Sequence, residues 1–271
     1  MPELPEVETT RRGIEPHITG QIVKNVIIRQ AKLRWPIPSR IRQSLPDKLI
    51  LNVTRRGKYL LIHTEKGTVI IHLGMSGSLQ MVESNRMPDK HDHFDIVFKN
   101  NHTLRLHDPR RFGAVLWTTR SALKHPLLSS LGPEPLSSDF DADYLFNRSR
   151  KRRVVIKSFI MNSKIVVGIG NIYASEALFR SGIRPNTAAG KISQRRYQRL
   201  VAAIKEVLEA AIAEGGTTLR DFTNGEGKPG YFKQRLLVYG RAGKACVLCK
   251  NAIKQTQQNQ RTTYYCSHCQ R

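Results

Sequence analysis

Four cysteines near the end of the chain limit its fold more than any other residues do. Cys246, Cys249, Cys266 and Cys269 form the pattern Cys-x2-Cys-x16-Cys-x2-Cys, and the sequence has no other cysteine. Two such pairs complete a tetrahedral Zn2+ site and leave no ligand position open. The pattern therefore predicts a zinc ribbon with one structural Zn2+. The alternative is that these cysteines act in redox chemistry or form disulfides.

The chain also carries a large excess of positive charge. Its 45 lysines and arginines outnumber 21 aspartates and glutamates, which gives a net charge of +24 over 271 residues. Because such an excess attracts polyanions and releases their counterions on binding, nucleic acid is the expected partner. An acidic membrane surface is the weaker alternative, since no basic amphipathic helix with an aromatic face stands out.

The rest of the composition is typical of a folded protein. Hydrophobic residues make up 39% of the chain and can form a core, which excludes a basic disordered tail. No apolar run approaches the ~20 residues of a membrane span. The acidic N-terminus is also unlike the basic start of a signal peptide. We therefore expect a cytoplasmic or nucleoid-associated protein.

The order of the elements predicts a multidomain α+β protein. A short helix enters at Pro5, and Pro16 and Gly20 are expected to stop it. Eight runs rich in β-branched and aromatic residues follow, which predicts an antiparallel β-sandwich or barrel. These runs are QIVKNVIIR, LILNVT, YLLIHT, TVIIHLG, SLQMV, HFDIVFK, TLRLH and AVLWT.

Three further segments follow this first domain, which spans residues 1–120. Residues 121–143 are rich in proline, serine and acidic residues and are interpreted as a linker. Residues 144–239 are expected to form a helical domain, and residues 240–271 the zinc ribbon. Within the helical domain, Ser193 can cap a helix that Gly215 and Gly216 end. Its apolar stripe consists of Tyr197, Leu200, Val201, Ile204, Val207, Leu208 and Ala211.

A basic run and a glycine turn predict contacts with a sugar-phosphate backbone. Gly168 and Gly170 precede a helix that begins at Asn171, and a second glycine-rich loop covers residues 224–230. Glycines let backbone amides approach a phosphate, and a helix N-terminus adds its dipole. A solvated charged face beside a tight turn between helices is the alternative. The basic run consists of Arg148, Arg150, Lys151, Arg152, Arg153 and Lys157.

The N-terminus itself offers a nucleophile. Removal of Met1 would expose the secondary amine of Pro2, which can attack an electrophilic sugar carbon and form an iminium. The positive end of the following helix disfavours the protonated amine. Glu3 is placed to act as a general acid on the same substrate. The alternative is that Pro2 and Glu3 only begin the helix and have no catalytic role.

Several long motifs resemble the bacterial formamidopyrimidine-DNA glycosylase family. They are MPELPEVET at 1–9, RRGKYL at 55–60, HLGMSGSL at 72–79, DPRRFG at 108–113, GIGNIYASEALF at 168–179, GGTTLRDF at 215–222, GKPGYF at 227–232 and the zinc ribbon. The resemblance covers the chain from end to end. It implies a β-sandwich, a helix-two-turn-helix domain over 144–239 and a zinc finger. It also implies excision of oxidised purines, such as 8-oxoguanine and formamidopyrimidines, followed by strand cleavage through β,δ-elimination.

The same resemblance implies roles for four catalytic residues. Pro2 is expected to be the nucleophile, and Glu3 the acid that protonates the deoxyribose as its ring opens. Lys58 is expected to donate the proton in β-elimination, and Arg261 to act in δ-elimination. The alternative for Lys58 is a surface lysine that binds phosphate. The alternative for Arg261 is a contact with a phosphate or a groove of the DNA.

Further residues match the family's DNA contacts. His91, Arg110 and Arg152 resemble DNA-binding positions, and Lys157 and Asn171 resemble a phosphate clamp. Met75, Arg110 and Phe112 match the residues that enter the duplex when the damaged nucleotide is everted, where they refill the stack. The alternative for Met75 and Phe112 is the core of the sandwich. We expect a monomer that acts on double-stranded DNA with oxidised purines, without a membrane or a small-molecule cofactor.

One position departs from the family pattern, and two other functions remain open. Asn162 stands where the family usually has aspartate, so it can brace a turn but carries no charge. An endonuclease VIII-like enzyme would share the terminal Pro-Glu, the helical domain and the zinc ribbon but remove oxidised pyrimidines. LPEVE, GMSG and RRFG favour the purine branch. A zinc-ribbon protein that binds damaged DNA without catalysis is the other alternative, and a retained Met1 would favour it.

Overall fold

The computed structural model describes residues 2–216 and 236–271. Contacts divide the chain into two compact units, and among the described residues the first holds 2–130 and 214–216 while the second holds 131–213 and 236–271. No helix in these ranges is long and apolar enough to cross a membrane. The predicted glycine-rich loop at 224–230 lies outside the described residues.

The first unit contains the eight strands that the sequence predicts. They form two antiparallel four-stranded sheets with the orders β1-β6-β7-β5 and β2-β3-β4-β8. The sandwich prediction is therefore confirmed over the barrel. The strands are β1 (Val23–Ile28), β2 (Ile50–Arg56), β3 (Tyr59–Thr64), β4 (Gly67–His72), β5 (Ser78–Glu83), β6 (Asp92–Phe98), β7 (His102–His107) and β8 (Ala114–Thr118).

One hydrophobic core joins both sheets to the N-terminal helix. Phe94 of the first sheet, Leu60 of the second and Ile14 of helix α1 (Leu4–Ile18) belong to the same buried cluster. A short helix α2 (Ile41–Ser44) also contributes Ile41. Packing of apolar faces from three layers explains why alternating strands and an amphipathic helix fold together here.

Helix α1 corrects one expectation, because Pro16 does not stop it. The helix continues to Ile18, and the Thr19 amide donates to the carbonyl of Glu15 at 3.0 Å. A proline costs a helix one backbone hydrogen bond. Ile14 and Ile18, on either side of Pro16, are fully buried, and their packing retains this last turn. Gly20, with φ +79°, follows the helix.

The second unit is helical and ends in a two-stranded hairpin. Its helices are α4 (Ala142–Ser149), α5 (Ile156–Ile160), α6 (Asn171–Arg180) and α7 (Gln194–Ala213), and its strands are β9 (Lys254–Gln258) and β10 (Arg261–Tyr265). The apolar stripe predicted for α7 is buried throughout. The Ser193 carbonyl accepts the amides of Arg196 and Tyr197 at 3.0 Å, so the chain enters the helix at the predicted residue.

Residues 121–143 contain more regular structure than a bare linker. A 3-10 turn (Ala122–Lys124) and a short helix α3 (Pro126–Ser129) occupy its first part, and α4 begins at Ala142. The division between the two compact units falls between Ser130 and Leu131.

Candidate catalytic and nucleic-acid-binding residues

Pro2 and Glu3 lie at the N-terminal end of α1. Pro2 is buried and immediately precedes Glu3, the N-cap residue, whose side chain is 2% exposed. The Glu3 amide donates to Oε2 of Glu6 at 2.8 Å. Since backbone amides at a helix start point toward the preceding residues, both candidate catalytic groups lie where the helix dipole is positive.

Gly216 approaches this first turn of α1 closely. With φ +82°, it adopts a conformation that L side chains rarely adopt, and a Cβ atom there would lie 3.1 Å from Oε1 of Glu6. The Gly-Gly pair that was predicted only to end α7 therefore also brings backbone against the N-terminal turn. A side chain at this position would displace Glu6.

Lys58 lies in the tight turn between β2 and β3. Arg56 pairs with Tyr59, so Gly57 and Lys58 form a two-residue loop, and Gly57 has φ +56°. Positive φ at a loop residue is typical of such hairpin turns. Burial, together with the nearby charges of Lys58 and Arg34, lowers the pKa of His72 to about 4. His72 is therefore neutral at pH 7, and its Nδ1 atom accepts the Gly74 amide at 3.0 Å.

An ion-pair cluster ties this part of the sheet to α1. Glu8 accepts hydrogen bonds from Arg11 and Arg12 on its own helix, at 2.9 Å each, and from Arg55 of β2 at 3.1 Å. Burial alone would raise the pKa of Glu8, but these three arginines lower it to about 2. The Glu8 carboxylate thus links β2, the strand before Lys58, to α1, the helix that follows Pro2.

Met75, Arg110 and Phe112 lie on two neighbouring loops at one end of the sandwich. Met75 is 38% exposed and Phe112 44% exposed, so the alternative that places them in the core is wrong. The Arg110 guanidinium lies over the Phe112 ring, 4.9 Å from its centre. Both apolar side chains line a concave region of about 410 Å³ with Arg34, His72 and Gly74. Exposed apolar groups beside an arginine suit insertion between bases.

Asp108 joins these two loops, a role that its place in the DPRRFG motif does not indicate. Its carboxylate is fully buried and accepts hydrogen bonds from the Ser76 hydroxyl at 2.8 Å and the Gly113 amide at 2.7 Å. Asp108 begins the turn that contains Arg110 and Phe112, whereas Ser76 follows Met75. An aspartate before proline and glycine is a common turn residue, and only its burial reveals the connection.

His91 lies beside the same turn. Its backbone carbonyl accepts the Asp108 amide at 2.9 Å, and its ring is 5.8 Å from that of His107 and 6.2 Å from that of His93. Burial lowers the pKa of His93. His91 itself is half-buried. The structure thus brings His91 near the backbone that carries Arg110.

The predicted phosphate clamp engages the zinc-ribbon hairpin. Lys157 is 2% exposed, and its Nζ atom donates to Oγ1 of Thr263 at 2.8 Å. Asn171, the first residue of α6, donates from Nδ2 to the Thr262 carbonyl at 2.9 Å. Its Oδ1 atom is buried without a hydrogen-bond partner in the part of the chain that the structure describes. Both side chains therefore hold β10.

Arg152 lies on an exposed turn before α5. Its amide donates to the Ser149 carbonyl and its own carbonyl accepts the Gly190 amide, both at 3.0 Å. A Cβ atom on Gly190 would lie 2.8 Å from that carbonyl. The backbone of Arg152 is thus fixed while its side chain is exposed, unlike the buried side chain of Lys157.

Arg261 is the first residue of β10 and is exposed. It follows a two-residue turn in which Asn259 has φ +46° and Gln260 has φ +60°. Asn259 donates from Nδ2 to Oγ of Ser158 on α5 at 2.8 Å. The tip of the hairpin is therefore attached to the helical part of the same unit.

The four cysteines converge as their spacing predicts. Their Sγ atoms lie within 4.8 Å of one another, with 3.9 Å between Cys246 and Cys269 and 3.4 Å between Cys249 and Cys266. Zn–S bonds of about 2.3 Å at tetrahedral angles separate ligand sulfurs by about 3.8 Å. This arrangement fits one structural Zn2+, with every ligand position filled by sulfur.

Glu176 is a second buried carboxylate that sequence reasoning missed. It is 1% exposed and accepts the amides of Leu237, Val238 and Tyr239 at 2.9, 3.0 and 2.8 Å. Burial raises the pKa of Glu176, although the three amides act in the opposite direction. It therefore fixes the backbone that leads into the zinc ribbon. Its place inside a helical motif gave no sign of this role.

Asn162 braces a turn, as expected from its side chain. Its Oδ1 atom accepts the Lys164 amide at 3.0 Å, and its carbonyl accepts the amide of Ile165 at 2.8 Å. The missing negative charge therefore leaves the local turn intact.

Comparison with known proteins identifies relatives along the whole chain. Family models match the formamidopyrimidine-DNA glycosylase N-terminal domain at residues 1–115, the H2TH domain of that glycosylase at 131–223, and a zinc finger found in FPG and IleRS at 243–271. The formamidopyrimidine-DNA glycosylase of Thioalkalivibrio sulfidiphilus is 58% identical over 271 residues, which is 100% of both chains.

Two solved structures share the fold at lower identity. The MutM (FPG) protein from Thermus thermophilus is 36% identical, with a TM-score of 0.90 over 99% of this chain and 98% of that one. Wild-type Lactococcus lactis Fpg, in complex with DNA that contains N7-benzyl-Fapy-dG, is 31% identical, with a TM-score of 0.92 over 99% of both chains.

Proposed function

Because the chain belongs to the formamidopyrimidine-DNA glycosylase family, we propose that it excises oxidised purines from double-stranded DNA through Pro2 and then cleaves the strand. It is a DNA glycosylase and abasic-site lyase of base excision repair. The observation that carries the residue assignment is the position of Pro2, buried directly before α1 with Glu3 as the N-cap.

The reaction begins when the secondary amine of Pro2, freed by removal of Met1, attacks C1′ of the damaged nucleoside. The N-glycosidic bond breaks, and Glu3 protonates the ring oxygen as the sugar opens. The Pro2 nitrogen loses its single N–H proton when it bonds to C1′, so ring opening leaves a cationic iminium with no further N–H proton to lose. The positive end of α1 favours the neutral, nucleophilic amine.

Two further residues act in strand cleavage. Lys58, on the β2–β3 turn, serves as the proton donor for β-elimination, which breaks the bond to the 3′ phosphate. Arg261, at the tip of the zinc-ribbon hairpin, serves in δ-elimination, which breaks the bond to the 5′ phosphate. The structural Zn2+ takes no part in these steps, since sulfur fills its ligand shell.

The remaining candidate residues bind DNA. His91, Arg110 and Arg152 contact the backbone or bases, and Lys157 and Asn171 hold β10 where it meets phosphate. Met75, Arg110 and Phe112 enter the stack when the damaged nucleotide leaves it. We infer that the protein is cytoplasmic and nucleoid-associated, because its substrate is genomic DNA, and that it acts as a monomer. Light scattering of the purified protein measures the oligomeric state.

Matched duplexes test the proposed function. Purified protein should excise 8-oxoguanine placed opposite cytosine and leave phosphate at both ends of the gap, whereas a duplex containing thymine glycol should react more slowly. Faster cleavage of the thymine glycol duplex would favour an endonuclease VIII-like enzyme. Binding without cleavage of either duplex would indicate a non-catalytic protein and contradict the proposal.

A further inference from the structure

We propose that Asp108 and Ser76 are positioning residues that hold the Met75 loop and the Arg110–Phe112 loop together as one rigid wedge. The inference rests on the proposed insertion of these side chains into DNA. It adds two residues whose hydrogen bonds determine the positions of the loops that carry Met75, Arg110 and Phe112.

The buried carboxylate supplies the first connection. Asp108 is 0% exposed, its Oδ1 atom accepts the Ser76 hydroxyl at 2.8 Å, and its Oδ2 atom accepts the Gly113 amide at 2.7 Å. A carboxylate accepts hydrogen bonds and donates none when ionised. Each oxygen here has a donor, one from each loop, so the carboxylate joins residues that are far apart in sequence.

The Ser76 hydroxyl supplies the second connection. Besides donating to Asp108, it accepts the Arg110 amide at 3.2 Å, and Ser76 itself is 4% exposed. The residue next to Met75 thus contacts the backbone of Arg110 directly. One hydroxyl serves both as donor and as acceptor between the two loops.

Glycines allow the loops to pack at backbone distance. A Cβ atom on Gly74 would lie 2.4 Å from the carbonyl carbon of Phe112, and one on Gly113 would lie 2.9 Å from Oδ2 of Asp108. Real Cβ atoms do not approach backbone this closely, so any side chain at Gly74 would separate Met75 from Phe112. The hydrogen bonds and this close contact act on the same pair of loops.

This arrangement has a consequence for eversion. Side chains that refill a base stack must be held near their final geometry, and loops that order only on insertion lose free energy to that ordering. Asp108 and Ser76 order both loops before DNA arrives. Loss of their bonds should therefore weaken eversion of the lesion more than the bond-breaking steps that follow it.

Ser76→Ala is the mildest test because it removes the bridge and keeps the bond between Asp108 and Gly113. Ser84→Ala is the matched control, since it removes a hydroxyl that bonds Thr103 at 2.9 Å beyond the opposite end of β5. Eversion is followed by the fluorescence of 2-aminopurine placed beside 8-oxoguanine, and excision by single-turnover kinetics. Cleavage of a preformed abasic site is measured in parallel.

We expect Ser76→Ala to lower the eversion and excision rates about 5- to 150-fold, the range for the loss of the two hydrogen bonds that its hydroxyl makes. Abasic-site cleavage should fall less, since no base remains to be unstacked. Ser84→Ala should match the unmodified protein. Asp108→Asn should have a larger effect, because an amide offers one acceptor oxygen to two donors. Thermal unfolding checks that each variant is folded.

Phe112→Ala separates failure of this inference from failure of the wedge itself. If Phe112→Ala slows eversion but Ser76→Ala behaves like Ser84→Ala, the positioning role is wrong and the wedge stands. If Phe112→Ala leaves eversion unchanged, the wedge assignment fails and this inference fails with it. An equal loss of eversion, excision and abasic-site cleavage in Ser76→Ala would also overturn the positioning role.

Discussion

Glu3 is almost completely shielded from water at the point where α1 begins, and this position suits a proton donor. With 2% of the residue exposed, little water reaches the Glu3 carboxyl group. The Glu3 backbone is fixed by its bond to Glu6, so the side chain starts from a defined place. This setting suits the role proposed for Glu3, the protonation of a sugar oxygen as the ring opens.

Glu3→Gln should therefore separate the two activities. The Pro2 amine remains, but protonation during ring opening is lost, so excision of 8-oxoguanine should fall by about 100-fold or more. Cleavage of a preformed abasic site should fall much less. Glu65→Gln, in the exposed β3–β4 loop, is the control. Equal losses in the two assays would contradict the assigned role of Glu3.

At the scale of secondary-structure elements, ion pairs and buried carboxylates connect segments that are distant in sequence. Glu8 joins α1 to β2, and Glu176 joins α6 to the segment that enters the zinc ribbon. Both connections place a single carboxylate against several donors. Such contacts fix the ends of elements, which is where the candidate catalytic residues lie.

The Glu8 cluster predicts a pH-dependent contribution to stability. Because arginines lower the pKa of Glu8 to about 2, below its ordinary value of 4.5, the contribution is complete above about 4.5 and is lost as pH falls toward 2. Glu8→Gln should lower the melting temperature at pH 7, and the difference from the unmodified protein should shrink between pH 5 and pH 3. Glu65→Gln is again the control. A difference that stays constant with pH would show that the charge is not responsible.

The zinc ribbon predicts a local effect of metal removal. Chelation, or Cys266→Ser, should abolish DNA binding and incision while the β-sandwich stays folded, since the thiolate shell stabilises only the last ~30 residues. Near-ultraviolet circular dichroism and thermal unfolding follow the sandwich. Full activity of the metal-free protein would contradict a structural role for Zn2+.

Sequence patterns predicted the elements better than their contacts. Runs of β-branched residues predict the eight strands, and apolar residues at helical spacing predict α7. Both patterns are local, because they depend only on the geometry of one element. Pro16 does not end α1 because burial of Ile18 outweighs one missing hydrogen bond. The burial of Lys157 and the roles of Asp108 and Glu176 depend on residues up to 106 positions away, and no local pattern encodes such contacts.

For the whole molecule, a net charge of +24 makes DNA binding strongly salt-dependent. Arg152 and Lys157 were predicted alike from the sequence, but the structure distinguishes them. Arg152 has an exposed side chain, whereas Lys157 bonds the hairpin. A change at Lys157 therefore alters both charge and the packing of β10, and Arg152 gives the cleaner measure of a phosphate contact.

Arg152→Ala should weaken binding to damaged and undamaged duplexes equally, because backbone contacts carry no base information. The slope of log affinity against log salt should become shallower by about one unit. Titrations of both duplexes at several salt concentrations give the slope. A loss of affinity confined to damaged DNA would show that Arg152 does not contact phosphate.

The covalent link between the protein and its substrate tests the central claim most directly. Borohydride should trap a complex with a duplex that carries 8-oxoguanine opposite cytosine, because reduction converts the iminium to a stable amine. Peptide mapping of that complex should place the link on the nitrogen of an N-terminal Pro2, in protein whose intact mass lacks Met1. A link mapped to Lys58 would contradict the account.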